Sequence, residues 1–112
     1  MALTRDFKET IIERARKDKK FRRGMLTRGI VLLIAGNEED VQVGKSFIRD
    51  YINSTIGFPA LAERTGIRKE SLMRMLGPKG NPSLSNLNQV THTLLENEGL
   101  KGADNLSVSV QG

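Results

Sequence analysis

Apolar residues return at helical spacing along most of this chain, and strict alternation appears only near its end. Phe7, Ile11, Ile12 and Ala15 recur at i, i+4, i+5 and i+8, which places them on one face of a helix. Lys8, Arg14, Arg16 and Lys17 make up its solvated face. The spacing predicts an amphipathic helix from Arg5 to about Lys17, capped by Thr4, with Asp6 near the positive end of the helix dipole. A second helix is expected from Lys19 to about Ala35, behind a cap at Asp18. Its first half is amphipathic through Phe21, Met25 and Leu26, whereas its second half, I-V-L-L-I-A, is apolar on every side. A helix of that kind must be covered on most sides, so it lies at the centre of a bundle or forms part of a subunit interface. Gly36-Asn37 ends it, with glycine just beyond the last turn. Glu38, Glu39 and Asp40 then mark an acidic start for a helix to about Asn53, with Phe47, Ile48, Tyr51 and Ile52 as its apolar stripe.

The stretch Gly57–Leu76 has the layout of a helix-turn-helix, in which the second of two short helices can enter the major groove of DNA. Leu61 and Ala62 supply the apolar stripe of the first helix, and Ile67 fills the gap between the two. Gly66 sits at the turn, where a residue without a side chain takes a positive backbone angle at little cost. Leu72, Met75 and Leu76 recur at i, i+3 and i+4 and share the inward face of the second helix. With Leu72 inward, Glu70 and Arg74 point outward and Lys69 and Met73 flank them. The loop Gly77-Pro78-Lys79-Gly80-Asn81-Pro82 cannot be helical. A last helix is expected from a cap at Ser85 to about Asn97, with Leu87, Val90, Leu94 and Leu95 inward and Gly99 closing it. Leu106 to Val110 alternates as L-S-V-S-V, the pattern of a short C-terminal β-strand, which either pairs with a symmetry mate or another protein or is frayed.

These elements make an all-α protein of five or six helices in a single folded unit. Residues 1–36 form an N-terminal helical extension, 37–100 the helix-turn-helix domain, and 101–112 a tail. A chain of 112 residues is near the commonest size of one domain. The formal charge of +5 is unevenly spread. Residues 1–36 hold ten Lys/Arg against four Asp/Glu, and residues 55–82 hold five against two; the intervening and final stretches are net acidic. Excess positive charge attracts polyanions and raises non-specific affinity for nucleic acid.

Several chemistries are disfavoured. Cysteine is absent, so there is no disulfide framework, thiolate metal site or thiol nucleophile, which fits a reducing cytoplasm. Residues 1–20 are charged throughout and show no secretory pattern. The longest uninterrupted apolar run, Ile30 to Ala35, is far too short to span a bilayer. Gly44-Lys45-Ser46 has the ending of a phosphate-binding loop, but the required earlier glycine is replaced by Glu39, so it reads as a helix turn. His92 is the only histidine, without a nearby serine or cysteine partner or a metal-ligand set, and is expected at the surface or at the boundary of the core. The carboxylates are expected at helix starts or on solvated faces. No enzyme activity, metal or cofactor is expected.

Three segments carry a resemblance: R-D-Y-I-N-S-T-I-G-F (Arg49–Phe58), S-L-M-R-M-L-G-P-K-G-N-P (Ser71–Pro82) and Asn86-Leu87. With the D-F-K-E-T opening (Asp6–Thr10), the likeness covers roughly residues 4–100 and resembles the helix-turn-helix antitoxins of toxin–antitoxin addiction modules, a branch of the lambda-repressor-like DNA-binding class. The G-P-x-G-N-P loop is its most specific part. The resemblance implies a cytoplasmic homodimer that binds double-stranded operator DNA at its own promoter and neutralises a partner toxin of the ribonuclease-like RelE/HigB type. A free-standing or phage-type repressor without a toxin is the alternative. By position in that class, Lys69, Glu70, Arg74 and Met73 are the base readers, while Arg64, Arg68, Ser71, Lys79 and Asn81 serve the phosphate backbone. Arg68 departs from the pattern, since Ser or Thr commonly caps the recognition helix there. The toxin surface and the dimer surface are each assigned either to the N-terminal helices or to the 106–110 strand.

Overall fold

Six helices account for most of residues 5–100, the part of the chain that the computed structural model describes. They are α1 (Arg5–Lys17), α2 (Lys19–Ala35), α3 (Glu38–Ser54), α4 (Phe58–Thr65), α5 (Lys69–Met75) and α6 (Leu84–Asn97). No strand occurs among the described residues. The cap expected at Thr4 and the strand expected over 106–110 lie outside them. The helical spacing therefore located every helix to within a residue or two, and the caps explain most of the boundaries. The Asp18 carboxylate accepts from the Phe21 amide at 3.0 Å and starts α2. Asn37 and Asp40 close a reciprocal capping box at the start of α3, so Asp40 serves a specific bond as well as the dipole. The cap of α6 corrects the sequence reading: Ser83, not Ser85, accepts from the Asn86 amide at 3.1 Å. Ser83 has the extended backbone that a cap needs, whereas Ser85 already lies in the first helical turn.

The helices share one core, in which Ala15, Leu26 and Ile30 pack with Ile48, Tyr51, Ile52, Leu61, Leu72, Leu76, Val90 and Leu94. The first two helices are thus part of the same hydrophobic unit as α3–α6. Its closest seam is the crossing of α2 and α3. A Cβ on Gly44 would stand 2.8 Å from the Gly29 carbonyl oxygen and 3.0 Å from the Leu33 nitrogen. Backbone meets backbone there, which only glycine allows. The apolar second half of α2 is not fully covered, however. Ile30 is buried, but Val31 and Ile34 remain 38% and 67% exposed.

Polar side chains lock the extension to the end of α6. Glu98 is buried, and its two carboxylate oxygens share the Arg22 Nε–H at 3.0 Å each, while Arg23 Nε donates to Oε2 at 3.4 Å and the Tyr51 hydroxyl to Oε1 at 2.7 Å. Arg23 also donates to the Glu98 carbonyl at 3.0 Å. A second buried carboxylate, Asp50, pairs with Lys8 at 3.0 Å. Both correct the expectation that the carboxylates lie at helix starts or on solvated faces. Burial first, and then the bond to Glu98, push the Tyr51 hydroxyl up to about 12. Since that value lies above the ordinary phenol value, the stabilisation is complete below about pH 10 and is lost as pH rises through 12. Tyr51 is the only tyrosine and tryptophan is absent, so ultraviolet phenolate absorbance reads it directly. We expect the native protein to titrate near 12 and the urea-unfolded protein near the ordinary value; equal midpoints would show that the hydroxyl is solvated. Glu98→Ala should lower stability by about 3 kcal/mol, because it strands two arginines and a hydroxyl, and should move the native phenol midpoint downward.

Candidate nucleic-acid interface

The turn between α4 and α5 is built from backbone conformation and two side chains. Gly66 has φ +75°, and its amide donates to Ala62 at 2.9 Å. The buried Thr65 hydroxyl donates to the Leu61 carbonyl at 2.9 Å and accepts from the Ile67 amide at 3.2 Å. Gln89 of α6 donates to the Thr65 carbonyl at 2.5 Å. Ile67 packs half-buried on the core, as its place between the helices requires.

α5 itself presents a sharp division. Leu72 and Leu76 are fully buried and Met75 nearly so. Lys69, Glu70, Met73 and Arg74 are exposed on the other side, with Met73 at 51%. The side chains of Lys69, Glu70 and Arg74 have no hydrogen bond or ion pair with any described residue. Glu70 and Arg74 stand four apart on one face and still do not pair, so the guanidinium fork and the carboxylate are both available. Arg68 precedes the helix without making a side-chain cap. Helix α5 nevertheless begins at Lys69, so the departure at position 68 does not shift its register.

The expected phosphate contacts divide into two groups. Arg68, Lys79 and Asn81 are exposed and unpaired among the described residues, and Ser71 is half-buried at the edge of the same surface. Arg64 is exposed but lies 3.8 Å from Glu96, which also meets His92 at 3.5 Å. This contact between exposed groups is weak. His92 is exposed, as expected, and no group of three metal-ligating side chains occurs among the described residues.

The loop after α5 has a role that its sequence did not reveal. Gln42, Lys45 and Arg49 lie along one face of α3 and all donate to its carbonyls. Lys45 Nζ, almost wholly buried, reaches Gly77 O at 3.1 Å and Gly80 O at 2.6 Å. Gln42 reaches Pro78 O at 3.1 Å, and Arg49 reaches Leu76 O. Burial, followed by the nearby Arg49 charge, holds the Lys45 amine below the ordinary lysine value. The cations also oppose the negative end of α5. A Cβ on Gly80 would stand 2.0 Å from the Arg74 carbonyl oxygen, so the loop folds directly against the end of the helix. The Gly80 amide donates to Gly77 O at 3.0 Å and is not free for a phosphate. The loop is a brace for α5, which presents Lys79 and Asn81 outward.

The brace was visible only as three polar residues at i, i+3 and i+7 on α3. The failed phosphate-loop match at Gly44-Lys45-Ser46 thus conceals a tight helix crossing and a structural cation. No protein-family model, curated protein or solved structure matches this chain.

Lys45→Met keeps the aliphatic stem and removes the ammonium. We expect it to cost about 1–3 kcal/mol, with faster amide exchange at Gly80 and through α5. Unchanged exchange there would mean that the loop holds itself.

Proposed function

We propose that this chain is a sequence-specific DNA-binding repressor of the lambda-repressor-like class, the antitoxin of a type II toxin–antitoxin module, acting in the cytoplasm as a homodimer. The observation that carries the DNA-binding part is α5. Its back is sealed in the core, its end is braced by α3, and its outward face holds a carboxylate, an ammonium and a guanidinium with no partner among the described residues. Charged side chains of this kind, on a short rigid helix, suit the edges of base pairs in a major groove.

In this reading Arg74 makes the paired contact to guanine O6 and N7, Glu70 accepts from a cytosine amino group, and Lys69 takes a guanine or a phosphate. Met73 meets a thymine methyl. Arg68, Ser71, Lys79 and Asn81 fix the register on the backbone, and Arg64 joins them by giving up its weak contact with Glu96. The toxin partner rests on the resemblance of Arg49–Phe58 and Ser71–Pro82 to addiction-module antitoxins. The brace gives the most specific part of that resemblance a physical meaning, since Gly80 fits against α5 only without a side chain.

A mobility-shift titration on the DNA upstream of the gene, repeated across salt concentrations and with the neighbouring gene product added, tests the proposal. Arg74→Ala should cost about 1–3 kcal/mol of binding and relax discrimination at one base pair. Lys79→Ala should weaken all sequences alike and reduce the salt slope by about one. Equal, sequence-blind losses from both variants would refute the assigned readers. A neighbouring product that neither binds the chain nor is inhibited by it would refute the antitoxin role.

A further inference from the structure

The outward face of α5 carries one side chain that is neither charged nor sealed. The chain has four methionines. Met25 and Met75 are 8% and 6% exposed and belong to the core, whereas Met73 is 51% exposed. Met1 lies outside the described residues. Leu72 and Met75 take the inward positions of the helix, which turns Met73 out beside Lys69, Glu70 and Arg74. A long side chain on a helix leans toward the N-terminus, over the residues three and four before it. The Met73 thioether is thereby directed toward Glu70 and Lys69, within the surface assigned above to base pairs.

We propose that Met73 is an oxidation site through which a small peroxide weakens DNA binding. A sulfur lone pair attacks one oxygen of hydrogen peroxide, and the O–O bond breaks as the S–O bond forms. The sulfur-bound hydroxyl then gives its proton to the departing hydroxide. Sulfur loses two electrons and the peroxide gains them, leaving one sulfoxide and one water. An apolar, adaptable side chain thus becomes a polar one. Facing a thymine methyl, the new oxygen is stripped of water and meets no donor. Turned along the helix instead, it reaches Lys69 one turn back and accepts from the ammonium that would serve guanine or phosphate. Either course weakens the complex, and neither disturbs the core, since Met25 and Met75 are closed to the oxidant. The change is reversible, because methionine sulfoxide reductases restore the thioether. Control of binding by this route rests on the reading of α5 given above, whereas the selectivity of oxidation rests on burial alone.

Brief treatment of the full chain with hydrogen peroxide, followed by trypsin, separates the two. Cleavage after Arg23, Arg28, Lys69, Arg74 and Lys79 places the described methionines in different peptides, Gly24–Arg28, Glu70–Arg74 and Met75–Lys79. Mass spectrometry should find oxygen added to Glu70–Arg74 roughly ten times faster than to the other two, and more slowly once the upstream DNA is bound. The oxidised chain should keep its helical circular dichroism and bind that DNA roughly tenfold more weakly, the scale of one buried polar group without a partner. Reduction by methionine sulfoxide reductase should restore the affinity. Met73→Leu has no sulfur to oxidise, so peroxide should leave its affinity, whatever the starting value, unchanged. Equal rates at Met25, Met73 and Met75 would overturn the oxidation site. Undiminished affinity of the oxidised chain, or an equal loss on treating Met73→Leu, would overturn its control of binding. An untreated chain that shifts no DNA would refute the regulator and the control together, while the peptide rates still decide the oxidation site.

Discussion

An ammonium removed from water must be met by oxygen, and the Lys45 side chain sets that condition between α3 and the loop after α5. Its acceptors come from the loop after α5, whose Gly77 and Gly80 carbonyls turn inward to meet it. Once those carbonyls are fixed, Gly80 must lie against the Arg74 carbonyl, and the end of α5 has one place to be. A helix of seven residues is too short to hold its own shape in water. What makes its outer face a defined surface is the cation behind it, together with Leu72, Met75 and Leu76 in the core.

α3 is the element through which these constraints meet. Toward its start it donates to the loop behind α5 through Gln42, Lys45 and Arg49. Toward its end Tyr51 donates to Glu98, which in turn gathers Arg22 and Arg23 from α2. Next to Lys45, Gly44 lets α2 approach to backbone contact. A net positive chain has therefore packed one buried cation, Lys45, and two buried carboxylates, Asp50 and Glu98, on or against the same helix, each satisfied by partners distant in sequence. No buried side-chain polar atom among the described residues lacks a hydrogen bond, as a fold that depends on such groups requires.

Much of this was legible in the amino-acid sequence. Helical periodicity located the helices because each buries one stripe, and placing Leu72 inward was enough to turn Glu70 and Arg74 outward. The turn at Gly66 was legible because positive φ has so few tenants. The brace was not, since Lys45 sits between glycine and serine in a segment that looks solvated, and its acceptors lie more than thirty residues away. Glu98 was hidden similarly, next to a helix-closing glycine where an exposed carboxylate would be ordinary. The cap of α6 was misplaced by two residues because Ser83 and Ser85 flank Leu84 with the same chemistry, and only the extended backbone at Ser83 separates them. The apolar second half of α2 left core and interface as alternatives, and the fold places Ile30 within and leaves Val31 and Ile34 outside.

Gly66 and Gly80, on either side of α5, exclude other residues for unrelated reasons. At Gly66 there is open room, and the obstacle is handedness alone: the backbone sits where L-amino acids are strained and their mirror images are at ease. A D-alanine introduced there by chemical synthesis would fit the turn and narrow the unfolded ensemble. At Gly80 the backbone angle is ordinary and the obstacle is space, because the Arg74 carbonyl oxygen lies 2.0 Å from where a Cβ would stand. The first glycine is a requirement of stereochemistry and the second one of volume.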